Sequence, residues 1–241
     1  MAIILAAGKG TRFNSELPKV LHKIQNKPMV HHVIESVNQS GITETCLVVG
    51  YQKETVITAC NNYNITHATQ EEQLGTGHAV VCALNEIKKS NPTHCLILAG
   101  DCPLIRSETI LKLLNTHETT NAAATILTAK LENAGSYGRI IRNKENQILA
   151  IKEAKDCTDN ELNIQEFNSG IYCFKTEELL NSIENIQTNN AQNEYYLTDM
   201  IEILKNQNLV ISGHCIENAI EVSGANTQDE LAILEKHKTE L

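Results

Sequence analysis

Ala2-Ile3-Ile4-Leu5-Ala6-Ala7-Gly8-Lys9-Gly10-Thr11-Arg12 opens the chain with a short apolar run that breaks into a loop of small residues. The run has the length and composition of a buried strand, and Ala6 to Arg12 form the turn that follows it. Working outward, β-branched runs at Thr45 to Val49, Ile65 to Thr69 and Leu96 to Ala99 alternate with helix-patterned stretches. The helices are expected at about Met29 to Asn38, Glu54 to Cys60, His78 to Ile87 and Glu108 to His117, with Pro28 in the first turn of the first. This rhythm predicts βαβ units with right-handed crossovers, and so an α/β fold with a doubly wound, mainly parallel sheet.

The pattern changes after Ala122 to Lys130. Gly138 to Ile141 and Ile148 to Glu153 read as a hairpin around Asn143 to Asn146, followed by a strand at Phe167 to Phe174, together an antiparallel insertion beside the sheet. Helices at about Thr198 to Asn206 and Thr227 to Lys238 flank a last strand, Val210 to His214. We expect one domain over 1–241, with a first half at about 1–120, a second half at about 121–230 and a C-terminal helix at about 227–241. There is no internal repeat, linker or hexapeptide periodicity.

Composition narrows the function. With 41% hydrophobic and 20% charged residues the chain is in the ordinary globular range. Lys plus Arg is 20 against 29 Asp plus Glu, a formal charge of −9, which argues against nucleic acid and anionic membrane as partners. The first apolar stretch falls far short of the roughly 20 residues of a spanning helix and lacks a basic leader, so a cytoplasmic location is expected. The eight cysteines show no CxxC pair and read as reduced thiols. The nine histidines show no ligand spacing such as HExxH, so zinc is not expected.

In a doubly wound sheet, ligands bind beyond the C-terminal ends of the strands. The loop Leu5 to Arg12 lies there, and its small residues admit a phosphate chain, although a tight structural turn is an equal reading. Its pattern is neither a P-loop nor a dinucleotide loop, which would need a third glycine where Phe13 stands. Arg12 and Lys19 supply two cations near one strand end, suited to charge developing on phosphorus. Asp101, after the apolar strand and Gly100, is a carboxylate placed for Mg²⁺; a helix cap or turn before Pro103 is the other reading. Gln70 to Ala79 runs from strand to helix through Gly75 and Gly77, and its glutamine amides match the edge of a pyrimidine, although a polar loop with glycine-assisted turns has the same composition.

Taken in order, LAAGKGTRF, PKVLH, QEEQLGTGHA, AGDCPL, YGRI, IKEAKD, FNSGIY, EYYLTD and EVSGAN resemble the pyrophosphorylase domain of bacterial bifunctional N-acetylglucosamine-1-phosphate uridylyltransferases, from residue 2 to about residue 230. The resemblance implies a Rossmann-like nucleotidyltransferase fold with a nucleotide-binding half at about 1–120 and a sugar-binding half at about 121–230, with Leu5, Ala6, Ala7 and Gly8 around the nucleotide and Arg12 and Lys19 on the phosphates. Gln70, Gln73, Gly75 and Thr76 are then the uridine-recognition residues. Asp101 and Asn226 are the implied Mg²⁺ ligands, and Gly138, Glu153, Asn168 and Thr198, with Tyr137 close by, line the sugar and its phosphate.

The implied substrates are UTP and N-acetylglucosamine 1-phosphate, and the implied product is a cell-wall precursor for peptidoglycan and lipopolysaccharide. Other sugar 1-phosphates, or a non-catalytic role binding nucleotide sugars, are the alternatives. Ala99 stands where many members carry a larger or polar residue, which leaves one wall of the sugar pocket open. The family's C-terminal left-handed β-helix has no counterpart in these 241 residues, so no acetyltransferase activity is expected of them, and a separate acetyltransferase is a candidate pathway partner.

Overall fold

The structure is a computed structural model and describes residues 1–240, with side chains up to Lys238. In chain order it comprises β1 (Ala2–Ala6), a ribbon of β2 (Lys23–Ile24) and β3 (Lys27–Pro28), α1 (Met29–Gln39), β4 (Thr45–Val49), α2 (Lys53–Ala59), β5 (Thr66–Thr69), α3 (Thr76–Cys82), α4 (Leu84–Ser90), β6 (His94–Ala99) and α5 (Ser107–Thr119). Then follow β7 (Ala124–Lys130), β8 (Arg139–Arg142), β9 (Ile148–Lys152), α6 (Asp159–Leu162), β10 (Glu166–Lys175), α7 (Thr176–Ser182), α8 (Asp199–Asn206), β11 (Ile211–Ile216) and α9 (Gln228–Glu240). Leu241, the last residue of the helix expected over 227–241, lies outside the described residues.

The main sheet has the order β11-β7-β10-β6-β1-β4-β5. β1 lies between β4 and β6 and parallel to both, with Leu5 opposite Val48 and Ala99, so the three strands end at one edge. β10 runs antiparallel between β6 and β7, and the β8–β9 hairpin attaches to it. The fold is therefore the mixed, mostly parallel α/β arrangement with an antiparallel insertion.

Alternation along the central strands builds both layers. Ala2, Ile4 and Ala6 face one side with Val30, Val33 and Val37 of α1 and Ile110 and Leu113 of α5, while Ile3 faces the other with Val80 of α3 and Met200 and Leu204 of α8. Each such fully buried Val, Leu or Ile contributes about 1.5–3 kcal/mol. A smaller cluster of Phe13, Ile24, Met29, Ala225, Leu231 and Leu234 ties α9 to the first ribbon. No helix among the described residues is long and apolar enough to cross a membrane.

Some local expectations change. The helix expected at 78–87 is two, because Ala83 N bonds Val80 O (3.0 Å) in a tightened turn that separates α3 from α4. Pro28 ends β3 in an extended conformation (φ −51°, ψ 142°), one residue before α1 instead of inside its first turn. The late strand extends to Ile216, and α6 and α7 are additional short helices.

Candidate active site

The ends of β1, β4, β5 and β6 and the loops beyond them are joined by backbone bonds: Tyr51 N to Ala7 O (3.0 Å), Gln70 N to Val49 O (2.8 Å) and Gly100 N to Leu5 O (2.9 Å). Between them and the insertion opens one cleft of about 480 Å³. Its walls include Leu5, Ala6, Ala7, Gly8, Lys19, Gln70, Gln73, Gly75, Thr76 and Asp101 on one side and Tyr137, Gly138, Glu153, Asn168 and Thr198 on the other. Ala99 also lines it. Arg12 and Asn226 stand beside the cleft, linked to it through Lys19.

Lys19 is the centre of the charged end. It follows Pro18 in a single helical turn whose next residues, Val20 and Leu21, are buried, so its backbone is anchored. Gly10, in the left-handed region (φ +67°), lets the first loop close on it, because a Cβ there would lie 2.6 Å from Lys19 Cβ. The ammonium pairs with Asp101 Oδ2 and donates to Asn226 Oδ1 (2.5 Å), to which Arg12 Nη2 also donates (2.8 Å). Asp101 does not cap a helix, since α5 begins at Ser107 with Arg106 as its cap. Asn226 is fixed by its backbone N–H, which donates to Glu230 Oε2 (2.6 Å) in the first turn of α9. Two oxygens from distant segments thus converge on one cationic atom, and hard oxygen donors suit Mg²⁺. The residues fit such an ion.

The loop after β5 is internally braced. Gln70 is buried, and its Nε2 donates to Gly75 O (3.0 Å) and lies 3.2 Å from His78 Nδ1. Gln73 Nε2 donates to Gln70 O (3.1 Å), so both amide nitrogens turn into the loop itself. Gly75 (φ +112°) and Gly77 let the chain pass against Tyr195; Gly77 N donates to Tyr195 O (2.7 Å) and Tyr195 N to Leu74 O (2.8 Å). Thr76 Oγ1 accepts from Leu197 N (3.0 Å).

At the opposite end, a register shift in β10 between Asn168 and Tyr172 turns Ser169 and Gly170 into the cleft. Asn168 Nδ2 donates to the Tyr172 hydroxyl (2.6 Å), and Gly170 N donates back to Asn168 Oδ1 (3.1 Å). Thr198 Oγ1 donates to Glu153 Oε1 (3.3 Å), while burial pushes the Glu153 carboxyl above its ordinary range. Tyr137 packs its ring on Phe167 at 4.4 Å, and burial raises its phenol. The neighbouring loop is held from beneath by Arg139, 2% exposed, whose guanidinium donates to the carbonyls of Tyr137, Gly135 (3.0 Å) and Leu162.

Sequence reasoning missed Ser136, Ser169, Gly170, Tyr172, Glu194 and Leu197 as lining residues. The bulge in β10 depends on tertiary register, and only the glycine in Asn168-Ser169-Gly170 hinted at it. Cys102, beside Asp101, is buried with its Sγ on Val222 O (3.5 Å), and burial pushes the thiol up, which fits a structural residue.

Residues 2–237 match the MobA-like NTP transferase domain family. Over 231 residues the chain is 45% identical to the bifunctional protein GlmU of Clostridium botulinum (strain Loch Maree), covering 96% of this chain and 50% of that protein. It is 46% identical over 234 residues to the protein of the same name from Clostridium perfringens (strain ATCC 13124), covering 97% and 51%. The match is to the N-terminal half, and the chain spans about half the length of these curated relatives. A crystal structure from Bacillus anthracis, solved with sucrose and provisionally named a glucose-1-phosphate thymidylyltransferase, superposes with a TM-score of 0.78 at 18% identity, covering 100% of this chain and 95% of that one. That likeness concerns the fold. With its strand order, its cleft and a match over nearly its whole length, the chain belongs to the MobA-like NTP transferase domain family.

Proposed function

We propose that this protein transfers the uridylyl group of UTP to N-acetylglucosamine 1-phosphate, giving UDP-N-acetylglucosamine and pyrophosphate, in the cytoplasm. The observation that carries this reading is the convergence of Asp101 and Asn226 on Lys19 in the wall of the cleft. The braced loop from Gln70 to Thr76 and the small residues Leu5 to Gly8 form the nucleotide end. Tyr137, Gly138, Glu153, Asn168 and Thr198 form the sugar end. The 45% identity to GlmU supports the choice of this substrate pair.

In this reading a phosphate oxygen of the sugar phosphate attacks the α-phosphorus in line, and pyrophosphate leaves with the bonding electrons. No covalent enzyme intermediate is needed, so catalysis rests on positioning and charge neutralisation. Lys19 and Arg12 stabilise the charge on the equatorial and leaving oxygens. Asp101 and Asn226 would hold Mg²⁺, which when bound neutralises phosphate oxygens and orients them. Lys19 then exchanges its carboxylate partner for phosphate. Gly138 keeps the floor of the sugar end low: a Cβ there would meet Ile151 at 3.2 Å and Glu153 Oε1 at 3.4 Å.

The test is pyrophosphate release by the purified chain with UTP, N-acetylglucosamine 1-phosphate and Mg²⁺, against controls without metal, with other nucleotides and with glucose 1-phosphate or N-acetylmuramic acid 1-phosphate. Metal-dependent release restricted to the first pair is the expected outcome. Release with another pair reassigns the substrate, and none from folded protein removes the catalytic reading.

A further inference from the structure

At the end of β6 away from the cleft, three chemistry-bearing side chains meet from three elements. His94 begins β6, His117 lies in the last turn of α5, and Cys173 sits within β10. One donor atom from each lies within 4.8 Å of the others. The two imidazoles meet edge to face, with ring centroids 4.8 Å apart and an interplanar angle of 89°. His117 is 1% exposed and Cys173 is fully buried. His94 Nδ1 and His117 Nε2 are buried without any hydrogen-bond partner, which is uncommon for nitrogens removed from water.

A second feature orients the group. Thr125 lies directly opposite Cys173 in the β7–β10 pairing, and its Oγ1 is 2.9 Å from His117 Nδ1. With the Nδ1–H donating to this hydroxyl, Nε2 turns its lone pair into the cluster, the arrangement by which a neighbouring acceptor fixes the tautomer of a ligating histidine. Burial lowers His117 to about 4 and holds His94 below its ordinary value, which favours the neutral ligating ring, and it raises the Cys173 thiol well above its own, so the thiolate forms only with an ion bound. One sulfur and two imidazole nitrogens form the donor set of thiophilic first-row ions.

We propose that His94, His117 and Cys173 bind one thiophilic transition-metal ion, Zn²⁺ or Cu⁺, that staples β6, α5 and β10 together. Three bonds form, and the Cys173 S–H proton is released to solvent, since the metal ligand is the thiolate. Bonds of about 2.0–2.1 Å to nitrogen and about 2.3 Å to sulfur set the donors of a filled site about 3.3–3.8 Å apart. The side chains therefore close by about 1 Å around the ion. The expectation that the histidines hold no zinc rested on spacing along the chain; these three ligands are separated by 23 and 56 positions, and the sheet brings them together.

The test uses full-length protein in a Cys215→Ser background, because Cys215 is the exposed thiol that would bind ions adventitiously. Metal-stripped protein is titrated with Co²⁺ as a zinc probe, then Zn²⁺, and separately with Cu⁺ against a chromophoric competitor, all without nucleotide. We expect one equivalent in one arm, in the Co²⁺ arm a thiolate-to-metal charge-transfer band, and a raised melting temperature. Cys173→Ser and His117→Gln should each weaken binding more than tenfold, whereas Asp101→Asn, which alters the Mg²⁺ site, should leave it unchanged. The arm that saturates identifies the ion. Circular dichroism selects whichever of the two cluster variants folds. Absence of stoichiometric binding in both arms, or binding retained by the folded cluster variant, overturns the proposal.

Discussion

Lys19 Nζ stands between Asp101 Oδ2 and Asn226 Oδ1, so one ammonium joins the loop after β6 to Asn226, which lies 207 positions beyond Lys19 in the chain. In the proposed reaction, substitution by alanine removes the cation from the phosphates and frees both oxygens to move apart. We predict that Lys19→Ala lowers kcat roughly 10²–10³-fold, the scale for losing one preorganised transition-state charge. The Kd for UTP, measured by calorimetry, should change much less. A tenfold or smaller loss in kcat would show that Arg12 carries the charge instead.

The same geometry makes Asp101 and Asn226 unequal. In the proposed metal site Asp101 would bring formal charge to a divalent ion, whereas Asn226 would bring only a dipole and also accepts from Arg12. Chelation of metal should abolish pyrophosphate release, and Asp101→Asn should not recover it at any Mg²⁺ concentration within solubility. Asn226→Ala should remain activatable, with its half-saturating Mg²⁺ concentration raised about tenfold or more. Both variants should melt within a few degrees of the parent, because neither side chain belongs to an apolar core. Identical metal dependence in Asn226→Ala and the parent would remove this residue from the metal site.

Gly224 supplies a sharper test of position than removing a ligand. A Cβ there would lie 2.9 Å from Asp101 Oδ2 and 3.1 Å from its Cγ. The carboxylate must rotate to admit a methyl group, although every proposed catalytic side chain is retained. Gly224→Ala should therefore lower kcat at least tenfold and raise the Mg²⁺ requirement, since misplacements of about 1 Å cost that much or more. Thermal melting should separate this effect from general damage. Parent-like activity would mean that the Asp101 rotamer is unimportant.

The central strands were readable because β1, β4 and β6 are apolar runs bounded by turns, but their order was not, since the connection from β5 to β6 passes over β4 and β1 to set β6 beside β1. The loops at their C-terminal ends were readable for the same reason, which brought Leu5 to Gly8, Gln70 and Asp101 into consideration. Asn226 came only through the family resemblance, as no spacing links it to Asp101 across 125 residues. The β10 bulge stayed hidden because register belongs to the pairing of β10 with β7, not to either strand. α6 is a different case: Thr158 and Glu161 form a capping box, a signal present in the sequence and passed over. His94, His117 and Cys173 have no local signature, since each comes from a separate element.

Asp199, at the start of α8 just after Thr198, gives a prediction that rests on charge alone. Burial, with Glu202 and Asp156 nearby, raises its carboxyl from 3.8 to about 6. The folded state therefore holds this proton more tightly than the unfolded chain does. Relative to the ionised form, that contribution to stability is fully present below pH 3.8 and is lost as pH rises through about 6. Asp199→Asn removes the titration. At pH 7.5 the variant should be more stable by about 1–2 kcal/mol, a reduced figure because the group is only partly buried. For a chain of this size that corresponds to a melting temperature about 3–6 °C higher. At pH 4 the difference should shrink towards zero, with the change falling between pH 4 and 6. Melting curves for both proteins at pH 4, 5, 6 and 7.5 decide the point: a stabilisation independent of pH would assign the gain to packing, and none at pH 7.5 would show that Asp199 is adequately solvated when ionised.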